Sequence, residues 1–315
     1  MSLFTKTYEL SLHRNYVSHW GLAHAVRELI QNALDSKSPF IYKFTGEAGE
    51  QTLHLYSEFA TLSPKTLLLG SSSKAGDAGA IGSFGEGYKI ALLVLTRIGK
   101  DVEIHNGDLL WRPRFRHNSR FNEELLVVDE VSLPEKSTGL RFMVHGLNED
   151  DVASVRACCL KMQSDVGEVK PTPKGDILLD RPGKLYVGSL YVCDTGLRHS
   201  YNIKPEFIKL ERDRQTVDSW DLKCITRDMW FAAGDVDRGV KMIEAGVPDV
   251  EYAQYSSPEV VKDAVYKHFV SQNPGKLAVK SQEEQHVVRT YGAGIALCIG
   301  LVFCEALITH LDGAE

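Results

Sequence analysis

Arg27-Glu28-Leu29-Ile30-Gln31-Asn32-Ala33-Leu34-Asp35 decides how the first half of the chain reads. The surrounding stretch, 18–36, has a helical period. Leu22, Val26, Leu29, Ile30 and Ala33 share one face, and His24, Glu28, Gln31, Asn32 and Asp35 share another. Glu28, Asn32 and Asp35 stand at i, i+4 and i+7, so one side of the helix offers two carboxylates and an amide. A carboxylate there can orient water for attack on a phosphate, and an amide oxygen is a hard ligand suited to magnesium. Taken alone, the same pattern also fits an ordinary solvated helix face.

Downstream, Gly82-Ser83-Phe84-Gly85-Glu86-Gly87 opens directly into an Ala- and Leu-rich helix predicted to reach Arg97. Glycines let backbone N–H groups approach phosphates, and a helix N-terminus adds partial positive charge. A dinucleotide fold would need a strand immediately before this run, whereas 57–81 is small, polar and loop-like apart from a short helical patch at 64–69. Alternation predicts strands at 7–12, 40–44, 52–56, 102–105, 125–128 and 140–145. A helix is expected from Asn148 to about Met162, with Asn148 as its N-cap.

Together the two elements resemble the GHKL ATPases (gyrase, ninety-kilodalton heat-shock chaperone, histidine kinase, MutL). The 27–35 stretch looks like the family's first box, E-x-x-x-N-x-x-D, closest to the heat-shock version. Gly82, Phe84, Gly85 and Gly87 look like the glycine-rich hinge of the ATP lid, and Ser73-Lys74 like its Ser-Lys segment. The resemblance covers about the first 150 residues. It implies an α/β fold: a Bergerat-type nucleotide-binding sandwich, an open mixed sheet with helices on one face, followed by a ribosomal-S5-like α/β domain and a small helical C-terminal part. It implies ATP and Mg²⁺ as cofactors, with Asn32 on the metal, Glu28 as general base, Asp35 at the pocket floor, and Ser73, Lys74, Gly82, Phe84, Gly85 and Gly87 near the phosphates. The sequence departs from the family after the strand at 52–56. Where D-x-G-x-G normally supplies an Asp for the adenine amino group, Ser57-Glu58-Phe59-Ala60-Thr61 stands, so Ser57 is the expected base contact and altered base choice is expected.

In the second half, Lys209-Leu210-Glu211-Arg212-Asp213-Arg214 looks like the segment by which the chaperones send an Arg to the γ-phosphate. Arg212 fits best and Arg214 is the alternative; Lys204 and Lys209 are weaker candidates, and a charged flank to the next helix is the plain reading. Pro and Gly at 170–175 suggest a linker, giving an ATP-binding domain at 1–170, a transducer-like domain at 176–250 and an α-rich part at 251–315. Strands are expected at 177–179 and 185–193, and helices at 216–231 and 258–270.

Composition limits the remaining choices. The 315 residues are 43% hydrophobic and 25% charged, a globular balance, and 36 Lys and Arg against 42 Asp and Glu leave a net charge of −6. That charge argues against nucleic acid as the partner, and the basic-aromatic run at 111–117 reads as a surface hairpin. Six cysteines without a C-x-x-C pair suggest a reducing cytoplasm. No signal peptide is legible at 1–12. The apolar run at 291–311 contains Glu305 and Thr309, which favours a buried core helix over a membrane span. The expected function is an ATP-gated, ATP-hydrolysing switch acting on a protein partner or client, with a homodimer allowed by the resemblance. The alternatives are a nucleotide-binding module with little turnover and a partner-sequestering protein that keeps only the fold.

Overall fold

Short turns join most consecutive strands of the N-terminal half, and strands joined that way pair antiparallel. The computed structural model describes residues 5–36, 38–68, 86–134, 138–210, 218–253, 259–279 and 295–298. By contacts the chain divides into two compact units, Met1–Ser164 with Gly188–Tyr191, and Asp165–Val187 with Val192–Glu315. The protein is α/β, with antiparallel pairing predominant and several helices.

The first unit runs β1 (Thr5–His13), α1 (Leu22–Leu34), β2 (Ile41–Thr45), β3 (Gln51–Ser57), α2 (Gly87–Arg97), β4 (Val102–Asn106), β5 (Leu109–Asn118), β6 (Glu123–Ser132), β7 (Leu140–Leu147) and α3 (Glu149–Ala157). Its seven strands lie in the order β1-β6-β5-β4-β7-β3-β2. Every neighbouring pair is antiparallel, which corrects the expected mixed sheet. The cause is local: hairpins make β2–β3, β4–β5 and β5–β6, and β7 returns between β3 and β4.

One face of this sheet packs on the helices. Ala25, Val26, Leu29 and Ile30 of α1 and Ala91 to Leu95 of α2 are completely buried, against Leu53, Val102, Ile104, Trp111, Phe142 and Val144 of the sheet. The two-residue alternation of strands then sends Thr52, His54, Glu103, His105, Arg112, Arg141 and His145 to the other face. On that face the basic run of β5 is matched across strands. Arg112 pairs with Glu103, Arg114 with Asp129 at 2.6 Å, and Arg116 with Glu9 at 2.6 Å. Helix α1 starts at Leu22 rather than near residue 18, because Gly21 is extended (φ −112°, ψ −165°). The approach to it is held by Arg97, whose guanidinium donates to the carbonyls of Tyr16 (2.9 Å) and Trp20 (2.8 Å).

A second sheet, ordered β11-β10-β12-β9-β8, is formed by β8 (Val169–Thr172), β9 (Gly175–Leu178), β10 (Lys184–Val187), β11 (Leu190–Asp194) and β12 (Ser200–Ile203), all of it in the second unit except Leu190 and Tyr191. Pairing is parallel for β10–β12 and antiparallel for β12–β9 and β8–β9. Helices α4 (Ser219–Ala232), α5 (Val236–Glu244) and α6 (Glu259–Gln272) share its core through Met229, Trp230, Ile243 and Val265. A parallel strand pair, β13 (Lys276–Val279) and β14 (Ile295–Cys298), follows.

Three expectations change here. Residues 170–175 are no linker but the β8–β9 hairpin, closed by the Thr172 hydroxyl donating to the Gly175 carbonyl at 2.7 Å. The single strand expected at 185–193 is two, broken at Gly188 and Ser189, both left-handed (φ 57° and 76°), as a tight hairpin turn requires. The helix expected at 291–311 is replaced at Ile295–Cys298 by a strand, so the C-terminal part is not purely helical. A short apolar run between glycines suits a strand paired in parallel. The rest of 291–311 lies outside the described residues. Among the described residues no helix is long and apolar enough to cross a membrane.

Candidate functional site

Helix α1 is buried without a break from Ala25 to Gln31, polar residues included: Arg27 is 8% exposed, Glu28 1% and Gln31 3%. That disposes of the solvated-face reading. A carboxylate leaves water only with compensation, and Glu28 has it from its own neighbour: Arg27 Nη1 donates to Glu28 Oε1 at 3.2 Å. The Arg27 Nε donates in turn to the Tyr191 carbonyl at 2.8 Å, within the same unit. Arg27 had no place in the sequence-based site. Adjacent helix residues point apart, so an i,i+1 pair is not what spacing suggests.

Asn32, one turn on and half-buried, donates its amide N–H to the Glu28 carbonyl at 2.8 Å. This bond fixes the side chain through its nitrogen, so the amide oxygen is the atom directed elsewhere. Asp35 caps the C-terminal end of α1, its backbone N–H donating to the Gln31 carbonyl at 2.9 Å. There the helix meets the end of β3: Ser57, 6% exposed, donates to the Ser36 hydroxyl at 3.5 Å. The structure therefore joins Glu28, Asn32 and Asp35 on one helix with Ser57 at that helix's end.

The stretch from Ser57 to Leu62 is a tied turn. The Phe59 N–H donates to the Ser38 hydroxyl at 3.1 Å. Asn106 clamps Leu62 on both sides, accepting from its N–H at 2.9 Å and donating to its carbonyl at 2.7 Å. Gly139 lies so close that a Cβ there would meet the Glu58 carbonyl oxygen at 2.6 Å, and its φ is +79°. Glu58 is exposed and Phe59 is 77% exposed, so neither side chain occupies the space beside Ser57. Asn106 and Gly139 carried no signal, being distant in sequence from what they hold.

Gly87 is the first residue of α2, as expected for a helix opening at the end of a glycine run. Ser73, Lys74, Gly82, Phe84 and Gly85, and Arg212 with Arg214 in the second unit, lie outside the described residues. Two residues beyond Gly87, Lys89 is wholly buried and donates its ammonium to the Leu68 carbonyl. Its neighbour Tyr88, its hydroxyl on Thr66 at 2.9 Å, has a phenol pushed by burial to about 12. Burial also pulls the Lys89 pKa below the ordinary lysine range, with Glu86 partly opposing. A lysine whose folded pKa is depressed costs stability while both states are protonated. The cost fades as pH climbs from the folded pKa to the unfolded value of about 10.4. Lys89→Met is accordingly expected to raise stability to denaturant at pH 7, with the gain shrinking by pH 10. A gain that is absent at pH 7, or that grows with pH, would show that the Leu68 bond dominates.

No protein-family profile matches the chain. It is similar to an uncharacterized protein of Mycoplasma pneumoniae, 24% identical over 232 residues, covering 65% of this chain and 88% of the other.

Proposed function

We propose that the N-terminal unit binds ATP with magnesium in a Bergerat-type pocket and hydrolyses it, as a GHKL-type conformational switch, and that the second unit is the S5-like partner of that fold. The observation that supports this reading is the contact between the C-terminal end of α1 and the end of β3. Glu28 and Asn32 line one helix whose C-terminal end, at Asp35 and Ser36, touches Ser57 at the end of β3. Helices gathered on one face of the seven-stranded sheet support it. In this reading Asn32 Oδ1 ligates the magnesium, Glu28 orients water, Ser57 contacts the base, and the backbone at Gly87 faces the phosphates.

A second reading, a nucleotide-binding module with little turnover, draws on the Arg27–Glu28 pair, which engages the would-be base. Asn32→Ala tests what both readings share. It removes one oxygen ligand from a half-buried polar position, so magnesium-dependent binding of a fluorescent ATP analogue should fall at least about tenfold while thermal stability changes by under about 1 kcal/mol. Unchanged binding in a folded variant would refute the magnesium role of Asn32.

A further inference from the structure

On the face of the first sheet opposite the helices, β4 and β7 bring together a set of ligating atoms outside the nucleotide site. The ligand atoms of Asp101, Glu103 and His145 all lie within 4.8 Å of one another. Glu103 Oε1 accepts from the Arg112 guanidinium, which leaves Oε2 facing two imidazoles, His105 Nε2 at 3.3 Å and His145 Nε2 at 3.9 Å. A second observation is independent of the clustering. His145 Nε2 is a buried nitrogen with no hydrogen-bond partner among the described residues. Its other nitrogen, Nδ1, lies 3.1 Å from the Thr52 hydroxyl, and its backbone N–H donates to the Asp101 carbonyl at 2.9 Å. An Nδ1–H donated to Thr52 leaves Nε2 as a bare lone pair directed at Glu103. Metal-bound histidines are held in just this way, by an outer partner on the far nitrogen.

We propose that this cluster is a site for a divalent transition metal of the zinc class, ligated by His145 Nε2, Glu103 Oε2 and Asp101, with solvent completing the shell. Ligands about 2.0–2.2 Å from a tetrahedral zinc ion stand about 3.3–3.5 Å from each other, so the 3.9 Å separation of His145 Nε2 from Glu103 Oε2 needs only slight closure. Imidazole nitrogens mixed with carboxylates favour zinc-class ions over magnesium or calcium, which take all-oxygen sets. The site is thus distinct in position and chemistry from a magnesium carried by ATP. Its ion ties β7, through His145, to β4 and its flank, through Asp101 and Glu103.

The test uses the full chain after dialysis against a chelator, titrated with ZnCl₂ by calorimetry and with Co²⁺ by visible absorption, nucleotide absent. Wild type should take up one zinc equivalent that His145→Gln lacks, and Co²⁺ should give tetrahedral absorption bands that the variant loses. Thr52→Val, which keeps every ligand, should bind zinc about 10- to 100-fold more weakly. His117→Ala, on an exposed histidine of β5, should bind as wild type does. If His145→Gln and Thr52→Val both match wild type in stoichiometry and affinity, or if wild type takes up no ion, the proposal is wrong. Because no nucleotide is present, these outcomes do not depend on the ATP reading.

Discussion

Glu28→Gln should lower ATP turnover by about 100- to 10,000-fold, the range that a positioned base contributes, while the Kd for a non-hydrolysable analogue stays nearly constant. Glutamine is the right substitution because Glu28 is 1% exposed and paired with Arg27. Alanine would remove the carboxylate that the buried Arg27 donates to, a loss of fold that would be confused with lost chemistry. The Gln amide oxygen can still accept from Arg27, so the pair's geometry survives without the base. Phosphate release and analogue titration report the two effects separately. Turnover equal to wild type would remove Glu28 from the chemistry, and negligible turnover by wild type itself would favour the binding-module reading.

Ser57→Asp is expected to strengthen binding of ATP relative to GTP by about ten- to a hundredfold, corresponding to about 1.5–3 kcal/mol for a hydrogen bond to a charged group. The position is buried at the end of β3 and already hydrogen-bonds Ser36, so a carboxylate there has one hydroxyl donor beside it. Phe59 is 77% exposed and its backbone is tied to Ser38, so removing its ring should add nothing to the gain. Calorimetry with ATP, GTP and ADP on wild type, Ser57→Asp and the double variant with Phe59→Gly measures this. Tight, adenine-selective binding by the unaltered protein would show that another group already recognises the base.

The two helices around which the first unit is built were legible because their periods are strong. The expected end of α2 matches at Arg97, and the buried face of α1 holds Val26, Leu29, Ile30 and Ala33 as the spacing requires. What sequence could not show was set by tertiary contact. Trp111 to His117, expected as a surface hairpin, is a strand paired with β4 and β6, and which acids on β1, β4 and β6 pair its arginines is set by strand register. Helix α5 escaped notice because nine residues around Gly239 have low intrinsic helicity; burial of Val240, Met242 and Ile243 overrides it. Pro and Gly at 170–175 mark a hairpin turn as well as they mark a linker, and only the partner strand distinguishes them. At the candidate site, spacing along α1 suggested Glu28 and Asn32. The Arg27 pairing, the Asn106 clamp on Leu62 and the close approach at Gly139 depend on residues far apart or facing apart along the chain.

The central claim is that α1 and the end of β3 enclose a nucleotide, and a crystal structure with a non-hydrolysable ATP analogue and magnesium tests it most directly. The account predicts magnesium on Asn32 Oδ1, a water held by Glu28 towards the γ-phosphate, and the base beside Ser57. An analogue bound elsewhere, or a well-ordered α1 with no nucleotide beside it at saturating ligand, would contradict it.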